Sequence, residues 1–514
     1  MLADGRVSKA SLTRALQTSG KEHHKLELGD VCNASRALYE IVKVVETLPL
    51  VNGGTFDWEY VRPCRLLTEQ VHASESLQPL LAKVAEVRRD QHWQLIIAFG
   101  EYVPGDFTKP MTNRKSTNLI FSFWDFGGHM LAQEALWFTP VSVRMSKVSA
   151  VDGAWSCFLK RFLHTLLWGA CGIETSGVAL VLCGRHYVLK AKLAVMIADG
   201  CGWCQGLEWR GAGSIRPCFK HGNVLKKDCS LSGLVDGFVE IDCSHVGSFE
   251  QVDAQQFYDD VDSVLEGRRL FASGEISKTK FEQLTFVSGA SVTKAGLLAD
   301  TTFRSHVDIF AVMYQDWPHT CLQDGILTVV TSHVFEICDA KLGIGARFWE
   351  GQLRDGWCFA NQIRYSSRQL HRLFNEYRIP TEETLNMIKG TMSQMLGLYR
   401  LIRHVVETNA EFHGPEVALE RASFYACCQV VDEFIEARAG LRPLTEVAER
   451  IRAANTRHLN ALVAAYGRSV VKPKNHWVFD IADDIQSFSD LGFVPNTFTL
   501  ERLHRDVKNV AQNV

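Results

Sequence analysis

The chain has 514 residues, of which 46% are hydrophobic and 22% are charged, and its formal net charge is −3. These values are typical of a globular protein with two or three domains, and they exclude a nucleic-acid-binding protein that relies on an overall positive field. The first residues lack the apolar core of a signal peptide, so the 15 cysteines predict reduced thiols in an intracellular protein rather than a disulfide framework.

The first 200 residues divide into two regions. Residues 1–90 carry apolar side chains at helical spacing, which predicts a helical N-terminal region. Over 91–200, short β-type runs alternate with turns and one apolar helix, which predicts the first part of an α/β core. Polar residues interrupt the apolar stretch 162–183, so we interpret it as buried core and expect no membrane span.

The remaining chain returns to the core only at its end. Residues 201–260 are rich in glycine and cysteine and predict an irregular insertion, and 261–364 are interpreted as a linker with an Asp-x-x-His segment. Helical spacing over 365–470 predicts a large helical insertion, and 471–514 predict the C-terminal part of the core. The sequence therefore predicts an α/β fold with a core assembled from two separated regions.

Acidic residues and histidines stand beside glycine or proline at several places. In chain order they are Glu101 after Gly100, Asp199, the pair Asp316 and His319, and Glu501. Carboxylates from distant segments can hold Mg²⁺ or Mn²⁺, and two such ions can promote phosphodiester cleavage. Strand-borne acids joined by a helical one are typical of a ribonuclease-H-like core. Taken singly, each has a structural alternative: Asp199 in a turn, Asp316 at a helix start with a packed histidine, and Glu501 on a solvated helix.

The cysteines offer a second kind of metal site. Cys201 and Cys204 are three residues apart, and about a dozen residues later Cys218 and His221 repeat that spacing. Two such pairs predict a structural zinc site with these four ligands. Free thiols in a glycine-rich loop are the alternative interpretation.

The order of these motifs resembles that of the cut-and-paste DNA transposases of the CACTA, Plavaka and Kyakuja–Dileera–Zisupton group, over residues 90–510. The matching stretches are IIAFGEYVPGD with the basic residues Lys109, Arg114 and Lys115 after it, MIADG, PCFKH at 217–221, DWPH at 316–319, PKNH at 473–476, and Glu501-Arg502.

The resemblance implies a ribonuclease-H-like fold with an acidic triad that uses Mg²⁺ or Mn²⁺ to cut transposon-end DNA in the nucleus, in a protein that can form homo-oligomers. Asp199 would be the second acid and Glu501 the third, with Asp316 and His319 as a pair near the site. The basic residues Lys109, Arg114 and Lys115 would contact DNA. The first acid is expected where Gly100 stands.

Position 100 is the main departure from the family pattern. Glu101 is adjacent, but neighbouring strand residues point to opposite faces, so it is a poor replacement. His221 also stands where the family has a cysteine, although histidine still binds zinc. We therefore expect a transposase-derived DNA-binding protein whose metal-dependent cleavage and strand transfer are degenerate or lost. The alternatives are an active transposase that uses Glu101, and an intracellular zinc-stabilised scaffold without a DNA function.

Overall fold

The computed structural model describes most of the chain between residues 42 and 499. The described residues are 42–89, 91–103, 115–226, 237–343, 348–349, 352, 392–489 and 492–499, with the backbone alone of 105–106, 109–110, 337–339 and 393–394. Glu501, Arg502 and Arg114 lie outside them.

The strands are short, and the longest has ten residues. In chain order they are β1 (Lys43–Pro49), β2 (Thr55–Val61), β3 (Trp93–Tyr102), β4 (Gly105–Asp106), β5 (Lys109–Pro110), β6 (Ser116–Phe123), β7 (Phe138–Arg144), β8 (Val178–Leu182), β9 (Arg185–Leu189), β10 (Ala191–Ala198), β11 (Val224–Leu225), β12 (Val239–Glu240) and β13 (Met313–Gln315).

The helices lengthen toward the C-terminus. In chain order they are α1 (Pro63–Ala73), α2 (Leu77–Val87), α3 (Gly127–Leu131), α4 (Met145–Val148), α5 (Ala154–Leu163), α6 (Gly200–Gly206), α7 (Ala254–Ala272), α8 (Lys278–Ser288), α9 (Thr301–His306), α10 (Ile309–Val312), α11 (Trp317–Cys321), α12 (Ile326–Leu342), α13 (Met392–Thr408), α14 (Ala418–Arg438), α15 (Leu444–Tyr466) and α16 (Pro473–Ser487).

A mixed five-stranded sheet forms the centre of the fold, in the order β13-β10-β3-β6-β7. The strands β3, β10 and β13 are parallel, whereas β6 and β7 run antiparallel to their neighbours. All eight residues of β6 are buried, so the sheet is covered on both faces. The protein is therefore a mixed α/β protein, and the carboxyl ends of its three parallel strands meet at one edge, here called the carboxyl edge.

Helices cover the sheet and extend beyond it. Phe99 of β3 packs against Trp155 of α5 and Trp203 of α6. Helix α16 contacts β13, and α14, α15 and α16 pack side by side with α12 against α14. The described residues between 392 and 470 contain the helices α13, α14 and α15.

The N-terminal region differs from the helical prediction where the structure describes it. Residues 43–61 form an antiparallel hairpin of β1 and β2, and the two helices α1 and α2 follow. The β-branched Val44, Val45 and Thr47 favour a strand. In β2, Trp58 and Tyr60 are buried and stack with ring centroids 4.0 Å apart. Tertiary packing of this aromatic pair decides against the helix.

The segment interpreted as a linker also differs, because it contains several helices. Asp253 accepts hydrogen bonds from the backbone N–H groups of Gln255 and Gln256 and so caps α7. Ser277 caps α8 in the same way through the N–H of Lys280. Capping residues before both helices were the sequence signal for this difference.

The apolar stretch 162–183 lies in the core, as expected. Phe162, Leu163, Leu166 and Leu167 are fully buried within the protein. Across the part of the chain that the structure describes, no helix is both long enough and apolar enough to cross a membrane.

Gly200 is packed so closely against α16 that a larger residue does not fit without movement. A Cβ atom at this position would lie 2.6 and 2.8 Å from two ring carbons of Trp477 on α16. We expect Gly200→Ala to lower the free energy of unfolding by about 1–3 kcal/mol, because the buried indole must shift. Urea denaturation measures the change. Gly213→Ala is the matched control, since nothing lies within 4 Å of its Cβ position; equal losses in both variants would contradict close packing at Gly200.

Candidate functional site

The carboxyl edge brings the predicted acidic positions together. Ile197 pairs with Ala98 and Ala198 pairs with Gln315 in the parallel ladders. Continuing this register places Asp199 beside Gly100 on one side and beside Asp316 on the other. Ligands of open α/β sheets commonly bind outside the carboxyl ends of such strands.

Position 100 has room for a side chain. A Cβ atom there would have nothing within 4 Å. Across the antiparallel ladder Gly100 pairs with Asn118, and directly paired residues project from the same face. Asn118 is fully buried, and its amide oxygen and nitrogen have no hydrogen-bond partner among the described residues. A carboxylate at position 100 would therefore meet open space and a polar neighbour.

Both carboxylate oxygens of Glu101 already have partners in the structure. Its Oε2 forms an ion pair with Lys115, and its Oε1 accepts a hydrogen bond (2.9 Å) from Nε2 of Gln205 on α6. Alternation along β3 places Glu101 on the face opposite to the vacant position at Gly100. The pairing also engages Lys115, one of the residues predicted to contact DNA. The side chain of Lys109 is not among the described parts of the chain.

Asp316 and His319 lie together but serve the local structure. The Nδ1 of His319 lies 2.6 Å from Oδ2 of Asp316. The fully buried Asp316 also accepts hydrogen bonds from the backbone N–H (3.1 Å) and the hydroxyl (2.7 Å) of Thr497. This carboxylate thus ties the segment after α16 to the end of β13.

The described residues at the carboxyl edge do not fit a two-metal set. Asp199 accepts a hydrogen bond from the N–H of Gly202 and caps α6. Glu101 and Asp316 are engaged as described above, Gly100 supplies no ligand, and Glu501 lies outside the described residues. No cleavage step follows from the groups that the structure places here.

Lys474 organises the loop beside this edge. Its Nζ donates to the carbonyl oxygens of His319 (2.8 Å), Gln323 (3.2 Å) and Asp324 (2.9 Å). Burial lowers the pKa of Lys474, although nearby acids oppose that effect. The lysine of the Pro-Lys-x-His motif thus fastens the start of α16 to the α11–α12 connection.

A buried cluster of four side chains lies behind the carboxyl edge, and we call it the Cys-His-His-Asp cluster. Its members are Cys218, His221, His476 and Asp480, and one ligand atom from each lies within 4.8 Å of the others. The Nδ1 of His221 lies 3.0 Å from Nε2 of His476 and 2.8 Å from Asp480, and Sγ of Cys218 lies 3.2 Å from Asp480 and 3.7 Å from His221.

The four side chains are of kinds that bind metal ions, but three of the contacts between their ligand atoms (2.8, 3.0 and 3.2 Å) are shorter than the spacing around a tetrahedral ion. Zinc ligands at about 2.0–2.3 Å lie roughly 3.3–3.8 Å apart in a tetrahedron, and one sulfur, two imidazole nitrogens and one carboxylate oxygen are all zinc ligands. The Sγ of Cys218 also accepts backbone N–H bonds from Lys220 (3.3 Å) and His221 (3.1 Å), which would stabilise a thiolate. The four residues therefore form a candidate metal-binding group.

Outer contacts orient His221. Its Nε2 lies 3.2 Å from Oδ2 of Asp483, and Arg452 holds the other oxygen of that carboxylate at 2.6 Å. A carboxylate behind a ligating histidine fixes its tautomer and ring orientation. Lys220 forms an ion pair with Asp484 and donates to the carbonyl of Met313 (3.0 Å), which links the cluster to β13.

In the protein alone, the four side chains hold their protons unequally, as the directions of their pKa shifts show. Burial lowers the pKa of His476 to about 4, and burial raises the pKa of Cys218 to about 11. Burial also lowers the pKa of His221, but Cys218 and the hydrogen bonds with Asp480 and Asp483 outweigh that effect and raise it to about 12. A metal would replace these proton contacts by coordination to a thiolate and neutral imidazoles.

The sequence spacing had grouped Cys218 and His221 with Cys201 and Cys204. In the structure Cys201 and Cys204 lie on α6, with Cys201 exposed, and neither belongs to the Cys-His-His-Asp cluster. The other two ligands come instead from α16, four residues apart on one helix face. His476 stood in a named motif, but its role as a ligand and that of Asp480 were missed. The His-x-x-x-Asp spacing after Pro473, which suits one face of a helix, was the available signal.

Comparison with models of known protein families finds no match, and comparison with curated proteins finds none. The interpretation of the two sites therefore depends on their own geometry.

Removing one imidazole tests the metal centre. We expect the natural protein to hold about one zinc per chain and His476→Ala to bind zinc at least about tenfold more weakly, since even outer-shell losses reach that size. Elemental analysis after dialysis and a zinc-competition titration measure this. His458→Ala is the control, because His458 is equally buried on α15 but lies outside the cluster. Full zinc retention by His476→Ala, or a natural protein without zinc after dialysis against it, would contradict the assignment.

Proposed function

We propose that the chain is a transposase-derived DNA-binding protein with a ribonuclease-H-like core, in which metal-dependent phosphodiester cleavage is degenerate or lost. The observation that carries the proposal is the alignment of three positions on adjacent parallel strands: Gly100 near the end of β3, Asp199 directly after β10 and Asp316 directly after β13.

The strand order supports the core assignment. A ribonuclease-H-like sheet begins with three antiparallel strands and adds two parallel strands beyond the first, in the order 3-2-1-4-5. Counting β3, β6, β7, β10 and β13 as strands one to five gives the same order in this sheet. In such a core the first two acids of the resembling family stand at the ends of strands one and four, which here carry Gly100 and Asp199.

The contacts at the carboxyl edge favour lost over active chemistry. The alternative of an active transposase requires Glu101 as first acid, but Glu101 is held by Lys115 and Gln205. Open space at Gly100 beside the unpartnered amide of Asn118 supports a pocket that has lost a carboxylate.

The scaffold alternative draws on the Cys-His-His-Asp cluster. A closed, four-ligand zinc site has a structural rather than catalytic role. Such a site stabilises a DNA-binding protein as readily as a scaffold, so the cluster alone does not choose between the two. Two measurements distinguish them: whether the protein binds DNA, and whether a carboxylate at position 100 restores cleavage.

Restoring the missing carboxylate tests the proposal. We expect the natural protein to leave supercoiled DNA intact in Mn²⁺, and Gly100→Asp to nick it, because the new carboxylate enters open space beside Asp199. Gel electrophoresis of plasmid DNA measures nicking. Gly100→Asn is the matched control, of equal size without the charge, and Gly100→Asp with Asp199→Ala should be inactive.

Two other outcomes reject the proposal. Nicking by the natural protein that Asp199→Ala abolishes would establish an active enzyme. Absence of nicking in every variant, together with no DNA binding by the natural protein, would favour the scaffold.

A further inference from the structure

A basic groove lies at the end of the sheet opposite to the carboxyl edge. It has a volume of about 610 Å³ and runs between the C-terminal end of α2 and the β8–β9 hairpin, where β3 and β10 begin. Its basic lining residues are Arg88, Arg89, His92, Arg185, His186 and Lys190. No acidic side chain lines it in the part of the chain that the structure describes.

Only part of this positive charge is neutralised. Arg88 pairs with the buried Asp125 (2.6 Å), and Arg185 pairs with Glu86 (3.1 Å). The other four basic side chains are exposed and form no ion pair with an acidic side chain among the described residues. They are Arg89, His92, His186 and Lys190.

Three basic residues elsewhere in the chain differ from those of the groove, because each is paired with an acidic side chain. Arg216 pairs with Asp260, Lys220 with the buried Asp484, and Arg403 with Asp432 and Glu407. Those cations therefore have little charge left for a partner. In a protein of net charge −3, the basic groove is a local exception.

The backbone around the groove is fixed. Strands β8 and β9 pair in register up to Leu182 and Arg185, and Cys183 and Gly184 between them adopt φ values of 49° and 77°. The left-handed pair forms a tight hairpin turn. The N–H of Trp93 donates to the carbonyl of Lys190 (2.8 Å), which joins the hairpin to the start of β3. The cations are thus held in place before a ligand arrives, which lowers the entropy lost on binding.

We propose that this basic groove binds the phosphate backbone of duplex DNA. Four steps along the chain separate His186 from Lys190, which corresponds to roughly 13 Å in an extended strand. Cations spread over that length match a row of phosphates better than one small phosphate ion. Such contacts position DNA without reading its sequence.

A duplex fits the groove better than a single strand. Single-strand sites use exposed aromatic rings on which bases stack. Here Trp93 is 2% exposed, and the hydroxyl of Tyr187 lies 3.5 Å from Glu86. Trp93 therefore offers no ring face to a base, and the half-buried Tyr187 already has a partner for its hydroxyl. The inference rests on the proposed function in taking DNA as the partner, and it adds the surface that binds it.

The test compares two double variants of the full chain with equal changes in net charge. Arg89→Glu with Lys190→Glu reverses the groove, and Lys280→Glu with Lys294→Glu reverses two exposed lysines elsewhere. Fluorescence anisotropy with a labelled 20-base-pair duplex of mixed sequence, over a range of salt, measures affinity. We expect the groove variant to bind about tenfold more weakly, with a salt dependence smaller by about two phosphate contacts. The control should stay within about twofold of the natural protein.

Competitors identify the ligand, and thermal melts verify that each variant is folded. We expect unlabelled duplex to displace the probe, and inorganic phosphate or vesicles of phosphatidylcholine and phosphatidylserine not to do so at matched phosphate concentration. Displacement by the vesicles, or equal weakening of both double variants, would overturn the groove assignment.

The two proposals fail in distinguishable ways. If the natural protein binds duplex and the groove variant binds equally well, only the groove assignment fails. If the groove variant loses binding but Gly100→Asp never nicks DNA, the groove stands and the restored-site argument fails. If the natural protein binds no duplex, both lose their partner.

Discussion

The Cys-His-His-Asp cluster ties the segment around Cys218 to helix α16, far along the chain. It joins His221 to His476 across 255 residues of chain, so closing that loop carries a substantial entropic penalty. Buried polar groups are tolerated only when they are paired, and an unpaired charge in this setting would be strongly destabilising. A zinc ion would satisfy all four side chains at once and offset the loop closure.

Several features of the carboxyl edge depend on the position of α16. The helix places Trp477 over Gly200, and its Lys474 donates hydrogen bonds to three backbone carbonyl oxygens. Thr497, beyond the end of α16, donates two hydrogen bonds to the carboxylate of Asp316. The irregular segment that carries Cys218 thus positions the helix that closes the edge. The Cys-His-His-Asp cluster brings four candidate ligands together, whereas the carboxyl edge has no side chain at Gly100.

Local sequence patterns predicted several of the strands, whereas the features that the sequence did not reveal depend on contacts between distant segments. The short β-type runs predicted over 91–200 include the β8–β9 hairpin and the two strands β3 and β10 that carry or precede Gly100 and Asp199. The hairpin at 43–61 was missed because its strand state depends on burying Trp58 and Tyr60. Half of the cluster was missed because its ligands are far apart in sequence. The basic groove was missed for the same reason, since α2 and β9 supply its cations from distant segments.

We propose that position 100 is the missing first ligand of a metal pocket at the carboxyl edge. Electron paramagnetic resonance of Mn²⁺ titrated into zinc-saturated protein tests it most directly, because bound Mn²⁺ loses the sharp signal of the free ion. The account predicts that the natural protein leaves Mn²⁺ free and that Gly100→Asp binds it. Tight binding by the natural protein that disappears in Asp199→Ala would contradict the claim, because the edge would then hold a complete site without a carboxylate at position 100.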